Sequence, residues 1–93
     1  MIVGIMVVDL FAEMPQSLKD KRHFVSSMKQ KLRNKFNVSV IESDFQDLWQ
    51  KIQFSIVTVA HNRSDAVKLF QNVEEFIYLN YPVKVIDIKR DFL

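Results

Sequence analysis

No cysteine occurs anywhere in the 93 residues. That excludes a disulfide framework, a thiolate metal site and a cysteine nucleophile, and it fits a reducing cytoplasm. Glycine appears once and proline twice, so the chain has few breakers and should run as regular elements with short connections. A Gly-rich phosphate loop is ruled out by the same count. No stretch reaches the roughly 20 apolar residues that a membrane helix needs. Met1 to Leu10 is apolar, but Asp9 interrupts it and no basic segment precedes it. It reads as a strand, not as a signal peptide.

What is present suits a small folded domain. Apolar residues make up 48% of the chain and charged ones 26%, enough for a core and unlike a disordered segment. The length fits one domain over residues 1–93. The net charge of +2 is mild, but it is unevenly spread. Between Leu18 and Phe36 seven basic residues face the single acid Asp20, leaving six basic against ten acidic residues elsewhere. The segment therefore carries +6 and the remainder −4. A split of this kind points toward a polyanionic partner.

Periodicity orders the elements. Ile2 to Phe11 is apolar on both alternating faces, as in a strand covered on each side. Ser17 offers a helix N-cap with Asp20 in the capping-box position. Leu18, Val25, Met28, Leu32 and Phe36 then follow at helical spacing, and Asn37 suits a left-handed cap. Val38 to Phe45 reads as a second strand, and Asp47 to Gln50 as a turn with Trp49 as an aromatic plug, a core or interface anchor rather than a stacking platform. Ile52 to Ala60 is a third strand. Ser64 can cap a second helix with core stripe Ala66, Phe70, Val73 and Ile77, widened by Leu69 and Phe76. Tyr81 and Pro82 stop it, and Val83 to Ile88 forms the last strand.

The order β-α-β-β-α-β predicts an α+β, ferredoxin-like sandwich: a four-stranded antiparallel sheet with two helices on one face. Right-handed crossovers leave this as the simplest arrangement. One sheet face then stays open. Since Val3, Ile5 and Val7 alternate with other apolar residues, that face is an expected interface, with a second copy of the chain as its simplest occupant.

Several residue groups bear on function. The basic helix is the strongest cue, because Lys19, Lys21, Arg22, Lys29, Arg33 and Lys35 are able to neutralise backbone phosphates. The plainer alternative is a solvated helix face, but six excess positive charges exceed what solubility requires. Glu42, Asp44 and Asp47 gather near the end of the second strand, with Glu42 and Asp44 two apart and so on one face. Such acids hold Mg²⁺ or share a proton in some sites, and elsewhere pair with lysines or blunt a sheet edge. His23 and His61 match no metal-ligand spacing and read as surface residues.

Two functional variants of this topology are disfavoured. A base-stacking RNA-recognition domain carries a Gly-containing basic–aromatic motif on its third strand. Here Lys51 to Thr58 holds one aromatic residue and no glycine. An acyl-phosphate hydrolase needs a Gly-rich anion cradle after the first strand, whereas Glu13-Met14-Pro15-Gln16-Ser17 has none and brings an acid there.

Gly4, the run Ser17-Leu18-Lys19-Asp20-Lys21-Arg22, the run Lys35-Phe36-Asn37-Val38-Ser39-Val40, Glu42 and Asp47-Leu48-Trp49-Gln50 together resemble the YlxP-like family of small bacterial proteins. The likeness runs in order over essentially the whole chain. It implies a ferredoxin-like fold and, from the translation and ribosome-maturation genes that often neighbour family members, a cytoplasmic role near RNA or ribosomes. It carries over no catalytic residues and no cofactor. Within the motif, Ser17 is expected to cap the helix, Leu18 to enter the core, and Lys19, Lys21 and Arg22 to face outward. The resulting expectation is a non-enzymatic protein that docks structured, ribosomal RNA through its first helix. The alternatives are a homodimeric interaction module using the open sheet face and a small Mg²⁺-dependent enzyme using the acids.

Overall fold

The computed structural model covers residues 1–93. Its elements run β1 (Ile2–Ala12), α1 (Leu18–Lys35), β2 (Ser39–Asp44), β3 (Lys51–Ala60), α2 (Arg63–Asn80) and β4 (Val83–Phe92). The strands lie in the order β2-β3-β1-β4, and every neighbouring pair is antiparallel. This is the ferredoxin-like α+β arrangement that the element order predicts.

Strand alternation decides which face meets the helices. On β1, Gly4, Met6, Val8, Leu10 and Ala12 are buried, while the residues between them keep partial exposure. On β3 the buried set is Ile52, Phe54, Ile56 and Thr58. From the helices, Val25, Met28 and Leu32 of α1 and Phe70, Val73 and Ile77 of α2 close the core. Thr58 is the one buried hydroxyl among the core strands, and it donates to the Asn37 carbonyl at 2.9 Å. Gly4 is required by close approach. A Cβ there would stand 2.9 Å from the Phe70 ring, so the ring can lie against β1 at this point because the strand has no side chain there.

Boundaries differ from the sequence reading in instructive ways. α1 ends at Lys35, and Phe36 caps it in extended conformation, its N–H bonded to the Leu32 carbonyl. Asn37 is not left-handed. The only non-glycine residue with positive φ is Phe45, at 63°. α2 is capped two residues before the expected Ser64, because the Asn62 side chain accepts from the Asp65 N–H at 2.9 Å. β4 continues to Phe92, four residues past Ile88. Phe92 reaches across to Phe70 with ring centroids 6.1 Å apart, and Leu93 and Val3 exchange two backbone hydrogen bonds. Trp49 is no plug. It is 53% exposed.

Candidate nucleic-acid interface

The first helix owes its position to its two ends. Ser17 Oγ accepts from the Asp20 N–H at 3.1 Å, and the Asp20 carboxylate accepts from the Gln16 N–H at 3.3 Å. One orphan donor of the first turn, the Asp20 N–H, is thus satisfied, and the Asp20 carboxylate ties down the residue before the cap. An acid in the first turn and Arg33 and Lys35 in the last also match the helix dipole. The apolar stripe then turns the charged residues outward in two groups.

Arg22, Ser26, Lys29 and Arg33 recur at helical spacing along one flank, with Lys19 beside them. Arg22, Lys19 and Arg33 are exposed and Lys29 is partly so. This flank borders β2, since the Arg33 guanidinium donates to the Val40 carbonyl at 2.8 Å. That contact also covers an acceptor of an edge strand. Lys31 and Lys35 lie on the opposite flank, toward α2. Lys31 stands 5.8 Å from the Tyr81 ring centroid and Lys35 5.4 Å from that of Phe76. Both contacts leave the ammonium groups in reach of solvent and of an anion.

Lys21 does not belong to this set. The expectation that it faces outward is overturned, because its side chain is only 1% exposed. It turns inward, donates to the Phe45 carbonyl and sits 2.8 Å from a Glu42 carboxylate oxygen. The Glu42 contact is close, but its angle is poor for a hydrogen bond, so it acts as an ion pair. Helical spacing explains the placement, since position 21 falls one turn before Val25 on the buried side. Only two ion pairs form in the molecule, Lys21–Glu42 and Arg90–Glu74. Lys19, Arg22, Lys29, Lys31, Arg33 and Lys35 therefore carry charge that no acid neutralises.

The acidic cluster comes apart for a related reason. The β2–β3 register shifts between Glu42 and Asp44, so Glu42 lies opposite Phe54 on the helix side while Asp44 lies opposite Gln53. The shared strand face expected for them is lost to this bulge. Glu42 is taken up by Lys21, and an Asp44 oxygen accepts from the Phe45 N–H at 2.7 Å. No three His, Asp or Glu side chains converge as metal ligands would. His23 and His61 are both exposed and far apart along the chain.

Tyr81 closes the space between the helices. Its ring meets Phe24 and Phe76 edge-on, at centroid distances of 6.0 and 6.1 Å. Its buried hydroxyl has no hydrogen-bond partner. Burial therefore holds its pKa above the ordinary 10.0 of a phenol, because the charged form loses hydration there.

On the open sheet face, Val3 pairs with Val59 and Ile5 with Val57 across the β1–β3 ladder. Val3, Ile5 and Val7 are partly exposed there, as expected of a surface no helix covers. Ser43, Ser55 and Gln53 form a small hydroxyl–amide chain farther along, with contacts of 2.7 and 2.8 Å.

The topology and the unpaired cations define a ferredoxin-like α+β domain whose first helix is basic on both of its exposed flanks. The chain belongs to the family described as Protein of unknown function (DUF503), whose model matches residues 3–90. It is also 41% identical over 61 residues to "Uncharacterized protein YlxP" of Bacillus subtilis (strain 168), a match spanning 66% of this chain and 66% of that protein. The resemblance read from the motifs is thereby shown. The quoted motif residues have structural work in this fold: Gly4 admits Phe70, Ser17 caps α1, Lys21 and Glu42 pair, and Gln50 ties the β2–β3 loop to the end of β1. No helix is long and apolar enough to cross a membrane.

Proposed function

We propose that the protein is a non-enzymatic RNA-binding protein that docks on structured RNA, such as that of a ribosomal particle, through the exposed cations of α1. One observation carries this reading: six cations on a single helix stay outward without any acidic partner within ion-pair distance. A row at helical spacing matches a line of backbone phosphates better than it matches a single small anion. Because A-form RNA hides its base edges in a deep major groove, such contacts read shape and phosphate spacing.

The reading is tested by binding to a folded ribosomal RNA fragment at increasing salt. Affinity is expected to fall linearly on a log–log plot, since each phosphate contact releases counterions. Arg22→Glu with Lys29→Glu should weaken binding at least about tenfold at low salt, with circular dichroism unchanged. Salt-insensitive binding, or equal binding by this variant, would overturn the proposal. Lys21 is excluded from such tests because its loss disturbs the fold.

A further inference from the structure

The open sheet face ends in a feature that α1 does not explain. Phe11 points away from the core, since its neighbours Leu10 and Ala12 are fully buried. In the same row it is flanked on both sides by lysines, Lys51 of β3 and Lys84 of β4. The β2–β3 loop rises beside it, so that Phe11, Asp47, Leu48, Trp49, Gln50 and Lys51 line a shallow depression of about 420 Å³.

This loop is held, not free. The Gln50 carbonyl accepts from the Ala12 N–H at 2.7 Å, and the Gln50 side chain donates to the Glu13 carbonyl at 3.2 Å. Phe45 is fixed in its left-handed conformation by Asp44 at its N–H, by Lys21 and Leu48 at its carbonyl, and by Lys51, 4.3 Å from its ring centroid. A bulky residue at positive φ persists only where its surroundings over-determine it. The result is an exposed Trp49 set beside an outward Phe11.

The charges select the occupant. A wholly apolar partner would strip water from Lys51, Lys84 and Asp47. A bare polyanion would meet Asp47, and Asp9 and Asp87, which pair across the adjacent row. A nucleotide satisfies all three chemistries, with a π face for the rings, phosphates for the lysines and base N–H donors for the acids.

We propose that Phe11 and Trp49 form a stacking platform for an unpaired nucleotide of the bound RNA, with Lys51 and Lys84 taking its flanking phosphates. The proposal rests on the RNA-binding reading, but it uses the opposite side of the sheet from α1.

Trp49 is the only tryptophan, so its fluorescence reports this surface directly. Titration with hexacytidylate at low salt should give saturable quenching. Phe11→Leu, which keeps an apolar side chain but removes the ring, should weaken that binding about fivefold or more. Lys51→Gln with Lys84→Gln should weaken it further and lower the salt slope by about 1.4, the value for two phosphates on a single strand. Arg22→Glu with Lys29→Glu should leave hexamer quenching intact while binding of the folded RNA fragment is lost. Absence of quenching while the folded RNA still binds would overturn the platform alone, and loss of both in the parent protein would overturn both readings. A blue shift of Trp49 emission on raising protein concentration without RNA would assign the surface to a second copy and overturn the platform as well.

Discussion

A buried ammonium must find acceptors for its protons or lose more in desolvation than it gains. Lys21 finds them in the Phe45 carbonyl and the Glu42 carboxylate, and so ties α1 to the end of β2. Removing one member strands the other. Lys21→Met should destabilise the protein by about 3 kcal/mol, the low end for a buried pair because Glu42 keeps some solvent contact. Adding Glu42→Leu should restore much of that loss, since the carboxylate is no longer left uncompensated and the Phe45 carbonyl retains the Leu48 N–H. Urea denaturation of the single and double variants checks both. Tyr81 is the opposite case, a polar group buried without a partner. Tyr81→Phe should leave stability at neutral pH unchanged or raise it by up to about 1 kcal/mol. The sign of its pH dependence follows from the raised pKa. Above pH 10.0 the unfolded phenol has lost its proton while the folded one keeps it, so stability falls as pH rises. The contribution is complete below the unfolded value and gone once pH passes the folded one. Tyr81→Phe should therefore flatten the decline above pH 10.0 in melts followed by circular dichroism.

Between β1 and α2 the approach is set by a single glycine. The Phe70 ring lies over Gly4 and against Phe92, both contacts fixing how close the helix comes to the sheet. Gly4→Ala should cost about 1–3 kcal/mol through overpacking. Phe70→Leu in the same chain should recover part of that, a non-additivity that equilibrium unfolding of the two singles and the double will reveal. The helices and the two central strands were legible in the sequence because their apolar spacing is strong: Ala66, Phe70, Val73 and Ile77 are all buried as the stripe requires. What escaped was set by partners distant in sequence. The outer half of β4 reads as a polar tail, Lys89-Arg90-Asp91, and becomes a strand by pairing with β1 and by the Arg90–Glu74 contact. A bulge between Glu42 and Asp44 separated two acids that simple alternation places together. Of the candidate site, the outward cations followed from the stripe, but Lys21 fell on the buried side of the same helix. Phe11 passed unnoticed as one more apolar residue in an apolar strand, since only the register shows the lysines on either side of it.

At the scale of the whole molecule, the question is whether RNA would sense net charge or its placement. The chain carries only +2 overall, which gives little general attraction to nucleic acid. Screening limits each charge to about 8–10 Å at physiological salt. The molecule extends 41 Å along its longest axis, so acids on distant parts of the surface cannot cancel the field that a phosphate meets at α1. A charge-balanced variant separates the two effects. Arg22→Gln and Lys29→Gln remove two positive charges, and Glu75→Gln with Asp91→Asn remove two negative ones, so the net charge stays at +2. If placement governs binding, this fourfold variant should bind folded RNA about as poorly as Arg22→Gln with Lys29→Gln alone, and its salt slope should be lower by about two phosphate contacts. Glu75→Gln with Asp91→Asn alone should then bind within about twofold of the parent protein, because neither acid pairs with a cation of α1 and Glu75 borders Lys35 on the α2 side, not the flank of Arg22 and Lys29. Recovery of parental affinity in the fourfold variant, measured by fluorescence anisotropy at fixed salt, would show instead that attraction is general and that α1 holds no defined contact surface.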